Sequence, residues 1–291
     1  MFYHRLFGHT VSAQVVLPAP RAVSVHADIS ITTTNTHGRL PPTIGDPYSY
    51  LRAPDGSIQV TWLDQYEFIV SADGARICAR NLGAAHDDAL YAYLLTQALS
   101  VALLQMGIEG LHGAAIESDD NAFVLLGDCG YGKSTLAAHA LMRGARLLTD
   151  DLVVFSESSV LPGAQRMKIE RNLGNRVLGD RAITPMGEGS EKWIFPLRDD
   201  EFAREPVALR AIFVLEPDSN RVALERMKHT DAFKGLLAAT FNPLDTTGER
   251  LRAHMSFIDA LARSTPVFRL SVPRDLTQID KVLDLALTAR D

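Results

Sequence analysis

Hydrophobic and polar positions change rhythm twice along the chain. Over residues 1–85 the apolar positions come in short runs, "AVSVHADISITTT", "SIQVTWLD", "YEFIVSA" and "ARICARN", broken by "PDGS" and "ADG". Short β-branched and aromatic runs between turn formers predict the strands of a small antiparallel layer. "NTHGRLPPTIGDPYSY" concentrates Gly, Pro and Asn and reads as a long loop. Over residues 87–106 the alternation gives way to a nearly unbroken apolar stretch. It predicts a helix that starts behind Asp87 and Asp88 and stops near Gly107 and Gly110.

From there strand and helix patterns alternate. "LHGAAIES" and "NAFVLLG" read as strands, "KSTLAAHALMRG" as a helix closed by Gly144, and "ARLLTDD" with "LVVF" as further strand. "ALRAIFVLE" and "PVFRLSV" add two apolar strands, with "TDAFKGLLAATF" and "RLRAHMSFIDALAR" as helices around them. The expectation is an α/β domain over 86–291, opened by the apolar helix, behind a β-rich subdomain over 1–85. The polar, Gly- and Pro-bearing stretch 185–206 predicts a mobile loop near a site.

Composition narrows the function classes. With 46% hydrophobic and 22% charged residues among 291, the chain has the balance of a globular protein. A net charge of -6 gives no general attraction to phosphate backbones, so no nucleic-acid partner is expected. Cys78 and Cys129 are too few for a disulfide framework or a thiolate metal site, which fits a reducing cytoplasm. The first twenty residues hold no sustained apolar run, so no cleaved secretion signal is expected. Residues 89–108 are uncharged over about a bilayer span, but contain Thr96, Gln97, Ser100 and Gln105; a buried helix rather than a membrane span is expected.

The candidate chemistry centres on "GDCGYGKST", residues 127–135, which satisfies G-x-x-x-x-G-K-[ST]. A predicted strand feeds it and a predicted helix leaves it, so the backbone N–H groups of Gly127, Asp128, Cys129, Gly130, Tyr131, Gly132, Lys133, Ser134 and Thr135 would surround one anion. Lys133 would reach the β- and γ-phosphates of a nucleotide, and the Ser134 hydroxyl a magnesium ion. Cys129 and Tyr131 occupy variable positions of the motif. Asp150 and Asp151 follow one helix and one strand later. If their strand lies beside the loop strand, its carboxyl end delivers both carboxylates near the γ-phosphate. One carboxylate can hold the metal while the other takes a proton from an attacking hydroxyl. The alternative is a solvated acidic turn. His112, one strand earlier, reads on its own as a hydrogen-bonded structural histidine. Lys192 in "EKWIFPL" is either a second cation for the transferring phosphoryl group or an exposed loop lysine, with Arg171 and Arg176 weaker candidates of the same kind. His86, His139, His229 and His254 show no metal-ligand spacing.

The run "LHGAAIESDDNAFVLLGDCGYGKSTLAAHALMRGARLLTDD", residues 111–151, resembles the catalytic core of HPr kinase/phosphorylase and its HPr-kinase-like relatives, and the element order is similar to that of phosphoenolpyruvate carboxykinase. The resemblance implies a P-loop domain with a mixed sheet and flanking helices, and ATP and Mg2+ as cofactors. It further implies His112 beside the phosphates, Asp150 as acid/base, and Ser134 and Asp151 as metal ligands. Of the phosphorylase signature E-I-R-G-L-G-I, "KIERNLGN" keeps Arg171, Leu173 and Gly174. The β-rich start, "EKWIFPL" and "PVFRLSVPRDL" are similar to stand-alone members of peptide-modification clusters, some of which phosphorylate a C-terminal serine of lasso precursor peptides. The implied partner is a peptide or protein with an acceptor serine, and the implied assembly a homo-oligomer. Rival readings are a kinase of a small hydroxylated metabolite, a carboxykinase-like transferase, and a nucleotide-dependent binding module without chemistry.

Overall fold

The computed structural model describes residues 1–34, 48–62, 65–82, 87–186, 190–217, 221–243 and 247–289. The chain divides into two units: Met1–Glu109 with Ile183–Ile194, and Gly110–Ala182 with Phe195–Asp291. The first boundary thus falls at 109/110, and the apolar helix stands with the N-terminal sheet instead of opening the second unit.

In the first unit the strands are β1 (Phe2–Leu6), β2 (His9–Ala13), β3 (Ile29–Thr33), β4 (Tyr48–Arg52), β5 (Ile58–Trp62), β6 (Tyr66–Val70) and β7 (Arg76–Asn81), in the order β1-β2-β3-β7-β6-β5-β4. The sheet is mixed, not antiparallel as the short runs suggest, because β3 lies parallel to both β2 and β7. Local turns between neighbouring runs predict hairpins, but the stretch between β2 and β3 is a crossover, which spacing does not distinguish. The end of the expected loop "NTHGRLPPTIGDPYSY" is β4, paired antiparallel with β5; residues 35–47 of it lie outside the described residues.

The apolar stretch forms α1 (Asp87–Tyr93), a π turn at Leu94–Ala98, and α2 (Leu99–Gln105). Its polar residues are satisfied inside the unit. The Thr96 hydroxyl donates to Ala92 O at 2.9 Å, that of Ser100 to Gln97 O at 2.7 Å, and Gln105 Nε2 to Gly56 O at 2.8 Å. Back-bonding of this kind relieves the cost of burying a hydroxyl and loosens the helical ladder, which suits a π turn at Thr96. Leu94, Leu95, Ala98, Leu99, Val101, Ala102 and Leu103 are all at most 2% exposed, so this is a core helix. No helix among the described residues is long and apolar enough to cross a membrane.

The second unit opens with β8 (Gly110–Ser118), β9 (Asn121–Leu126), α3 (Lys133–Met142), β10 (Arg146–Ser156), β11 (Ser159–Val160), β12 (Arg166–Glu170) and α4 (Arg171–Leu178). The chain then forms a hairpin of β13 (Thr184–Pro185) and β14 (Lys192–Pro196), with Thr184 opposite Ile194, whose residues up to Ile194 belong to the first unit. Then come β15 (Val207–Pro217), β16 (Ala223–Arg226), α5 (His229–Ala238), α6 (Gly248–Ser264), β17 (Val267–Val272) and α7 (Ile279–Leu287). The expected mobile loop at 185–206 therefore contains a strand and a 3-10 turn, Asp199–Glu201; residues 187–189 lie outside the described residues.

The sheet order is β11-β10-β8-β9-β15-β17-β16, and β11 also pairs with β15. The condition of a strand of aspartates beside the loop strand is not met, since β8 is interposed, antiparallel to both. β10 therefore runs in the direction of β9, and β15 and β17 run parallel to it on its other side. One aliphatic cluster joins Ala115, Val124, Leu126, Val153 and Ile212 of these strands to Ile258 of α6, and Phe123, Phe213 and Phe268 are also buried on them. Where the chain leaves this unit and re-enters it, Arg181 binds both sides of the gap. It donates to the Leu178 carbonyl, to the Pro196 carbonyl at 2.8 Å, and to both Glu201 oxygens at 2.8 and 3.1 Å.

Candidate active site

β9 is apolar and buried from Ala122 onward, and the chain breaks out of it at Gly127. Gly127, Gly130 and Gly132 have φ of 149°, 84° and 91°, conformations that residues with a Cβ rarely adopt. At Gly127 a Cβ would also stand 3.1 Å from the Tyr131 ring. Gly132 caps α3 without any side-chain hydrogen bond, so the first N–H groups of the helix point at the loop with no side chain to satisfy them. That is the arrangement that favours an anion. Lys133, only 8% exposed, arches back, and its Nζ donates to Gly127 O at 2.5 Å and Asp128 O at 3.1 Å. Ser134 and Thr135 lie on the same first turn of α3. Cys129 is exposed.

The register fixes the aspartates. Asp151 stands opposite Gly113 on β8, and Gly113 stands opposite Leu126, the residue before the loop. Asp150 is one position back, opposite Ala114. Gly113 cannot be larger, since a Cβ there would sit 2.7 Å from Leu125 O and from Leu126 Cδ2. Asp151 adopts φ of 73°, a left-handed conformation that Asp tolerates better than most residues. The Thr149 hydroxyl, buried, donates to Leu152 O at 2.7 Å and ties the bend. The bend changes what the pair can reach. A regular strand would send the two carboxylates to opposite faces. Here both meet one residue of β12: Lys168 N–H donates to Asp150 Oδ2 at 2.7 Å, and Lys168 Nζ pairs with Asp151 Oδ2 at 2.6 Å.

Arg166, 5% exposed, lies on the same strand and acts electrostatically on both aspartates. Burial alone would push the Asp151 carboxyl up. The Lys168 ammonium outweighs that together with Arg166 and His112, holding the group well below the ordinary carboxylate value. Burial also lowers Lys168, with Asp151 opposing and Arg166 adding to the drop, and lowers Arg166 against both aspartates. The sequence does not single out Lys168 and Arg166: "RMKIE" alternates charged and apolar positions, and alternation does not say what the charged side faces. The signal that finds them is the cost of holding two adjacent carboxylates largely away from water, which demands cations nearby.

His112 is held by its backbone. Its N–H donates to Ala239 O at 2.6 Å, and Phe241 N–H donates back to Gly110 O at 3.3 Å, so the segment after α5 lines the start of β8. The ring lies 6.0 Å from that of Phe241. The 239–241 segment is itself anchored by a 2.8 Å hydrogen bond between Thr240 Oγ1 and Nε2 of His254, which is 2% exposed on α6. His254 is thus a supporting residue of β8, which its position in sequence does not reveal. His139 lies on α3, His229 pairs with Asp259 at 3.0 Å, and His86 lies outside the described residues.

Within the second unit, then, the Gly-rich loop, Lys133, Ser134, His112, Asp150 and Asp151 are brought to one sheet edge. Lys192 is not in that unit; it opens β14, its N–H donating to Ser190 Oγ at 3.2 Å. Arg171 begins α4 and Arg176 lies in its last turn, while Gly174 packs so closely on buried Phe195 that a Cβ would stand 2.8 Å from ring atom Cε1. Among the described residues no group of three or more His, Cys, Asp or Glu side chains is placed to hold a metal.

No protein-family model matches the chain. No curated protein matches it either. Among solved structures it is similar to the HPr(Ser) kinase/phosphatase from Coxiella burnetii, at 10% identity over 60% of this chain and 92% of that one, with a TM-score of 0.31. A likeness that distant carries no argument about the site.

Proposed function

We propose that the chain is an ATP- and magnesium-dependent kinase that transfers the γ-phosphoryl group to a hydroxyl, the acceptor being a serine of a peptide or protein. The observation that supports it is the register Asp151–Gly113–Leu126, which sets two aspartates level with the end of the strand that enters the Gly-rich loop. A phosphate loop alone serves many tasks; a carboxylate pair beside it adds a base for an acceptor. The serine acceptor comes from the resemblance of residues 111–151.

In this reading the loop N–H groups and Lys133 hold the phosphates, and His112 contacts a phosphate oxygen. Asp150, its carboxylate oriented by the Lys168 N–H, takes the hydroxyl proton. The acceptor oxygen bonds to the γ-phosphorus as the bond to the β-bridging oxygen breaks, leaving ADP and a phosphoester. Magnesium, when bound, supplies neutralising charge to the phosphate oxygens. Hard oxygen donors fit it: the Ser134 hydroxyl and the ionised Asp151, which Lys168 pairs through Oδ2, would hold it. The test is incubation with γ-labelled ATP and serine peptides, reading peptide mass and nucleotide product together. One phosphate gained on a peptide supports the kinase; free phosphate alone means hydrolysis, and nucleotide binding without either product means a binding module.

A further inference from the structure

The flank of the loop away from the aspartates borders a cavity of about 370 Å³. Gly130, Tyr131, Gly132 and Thr135 form its near side. Its far wall is built at the carboxyl ends of β15 and β17, where Pro217 stands opposite Val272, and continues through Pro273, Leu276, Ile279 and Val282. The wall is mostly apolar, with Arg274 among its residues, and Leu276 is 46% exposed. Asp275 also borders the cavity, and its carboxylate is held by its own turn. It accepts from Thr277 N–H at 3.0 Å and the Thr277 hydroxyl at 2.8 Å, fixing the turn that presents Leu276.

The sheet order gives this cavity a direction. β10, with Asp150, lies two strands from β9 on one side; β15 and β17 lie one and two strands away on the other. A triphosphate laid along the loop with its transferred end toward Asp150 runs with its other end past Thr135, toward β15 and β17. We infer that this cavity receives the base and ribose of the nucleoside triphosphate, with Tyr131, Pro217, Pro273 and Leu276 flanking the flat ring. The volume falls within the range of roughly 300–1,000 Å³ typical of small-ligand sites, and an apolar lining with few polar groups is their usual composition. The inference rests on the phosphate-binding reading of the loop and adds where nucleotide selectivity over bare phosphate chains arises.

The experiment is calorimetric titration of the full chain with magnesium-ATP and, separately, magnesium tripolyphosphate. The wild type is expected to bind ATP about 10–100-fold more tightly, the gain that one stacked base supplies. Leu276→Glu, at an exposed position, is expected to weaken ATP about tenfold while leaving tripolyphosphate unchanged. Leu276→Trp gives a second readout, fluorescence that changes on adding ATP and stays constant with tripolyphosphate. Equal affinity of the wild type for the two ligands, or a Leu276→Glu effect on both alike or on neither, overturns the base site while leaving the loop reading intact. A wild type that binds neither ligand overturns both.

Discussion

Lys168 contacts both aspartates of the pair, Asp150 through its backbone N–H and Asp151 through its ammonium, so one residue of β12 sets the spacing and orientation of two carboxylates from β10. The ion pair is buried, 8% and 17% exposed on its two sides. In such a pair the attraction offsets desolvation only while both partners are present.

Removing one partner should therefore be costly. Lys168→Met leaves Asp151 without its ion-pair partner, against the more distant Arg166 and His112, and unfolding in urea should show a loss of about 3 kcal/mol. A change below a few tenths of a kcal/mol would mean the pair is open to water and does not organise the site.

Asp150→Asn keeps shape and removes the proton acceptor. Phosphoryl transfer to a serine peptide should fall about 10²–10⁴-fold, with magnesium-ATP affinity in calorimetry nearly unchanged. Full activity in this variant would remove Asp150 from the role proposed for it.

At Gly113 the constraint is steric. Gly113→Ala puts a methyl group against Leu125 O and the Leu126 side chain, which the neighbouring strands relieve only by shifting. Thermal melting should report a loss of about 1–3 kcal/mol, and ATP affinity should drop with it because Leu126 leads into the loop.

His254→Ala should act at a distance. It leaves the Thr240 hydroxyl without its 2.8 Å partner and loosens the segment whose Ala239 carbonyl holds His112. The expected result is a stability loss of about 1–2 kcal/mol and a fall in kcat with KM for ATP unchanged. A KM change alone would place the effect at the loop instead.

Glu201 supplies an acid-side pH dependence. Burial pushes its carboxyl up, but the bidentate hydrogen bonds from Arg181 and the Arg198 N–H outweigh this and lower it below its ordinary value of 4.5. A group depressed in the folded state contributes stability above its unfolded value, and loses it as the pH falls through the folded one. Glu201→Gln should therefore flatten the decline of stability below about pH 4.5, compared by urea unfolding at a series of pH values.

The sequence exposed the parts of this site that are local. A strand, a glycine turn and a helix start are contiguous in "NAFVLLGDCGYGKST", and His112 and the aspartates lie within one supersecondary unit of it. Strand order is not local: nothing in the spacing of "LHGAAIES" places β8 between β9 and β10. The cations Lys168 and Arg166 were hidden for a related reason, since an alternating strand shows which residues share a face but not whether water or a carboxylate pair faces them. The eye-catching lysine of "EKWIFPL" instead falls in the other unit. In the N-terminal sheet, short runs revealed strands but not the parallel placement of β3.

The chain passes from one unit to the other after Glu109, back after Ala182, and again after Ile194. During synthesis, the N-terminal sheet and its apolar helix emerge first, yet their unit is not complete until residue 194 has left the ribosome. By then β8 through α4 have also emerged, loop and aspartates included. The Arg181 contacts to Pro196 and Glu201 close only after that point, so the loop unit finishes last and its own folding spans the completion of its neighbour. Neither unit is a contiguous stretch of the gene, and a single nick in the backbone frees neither.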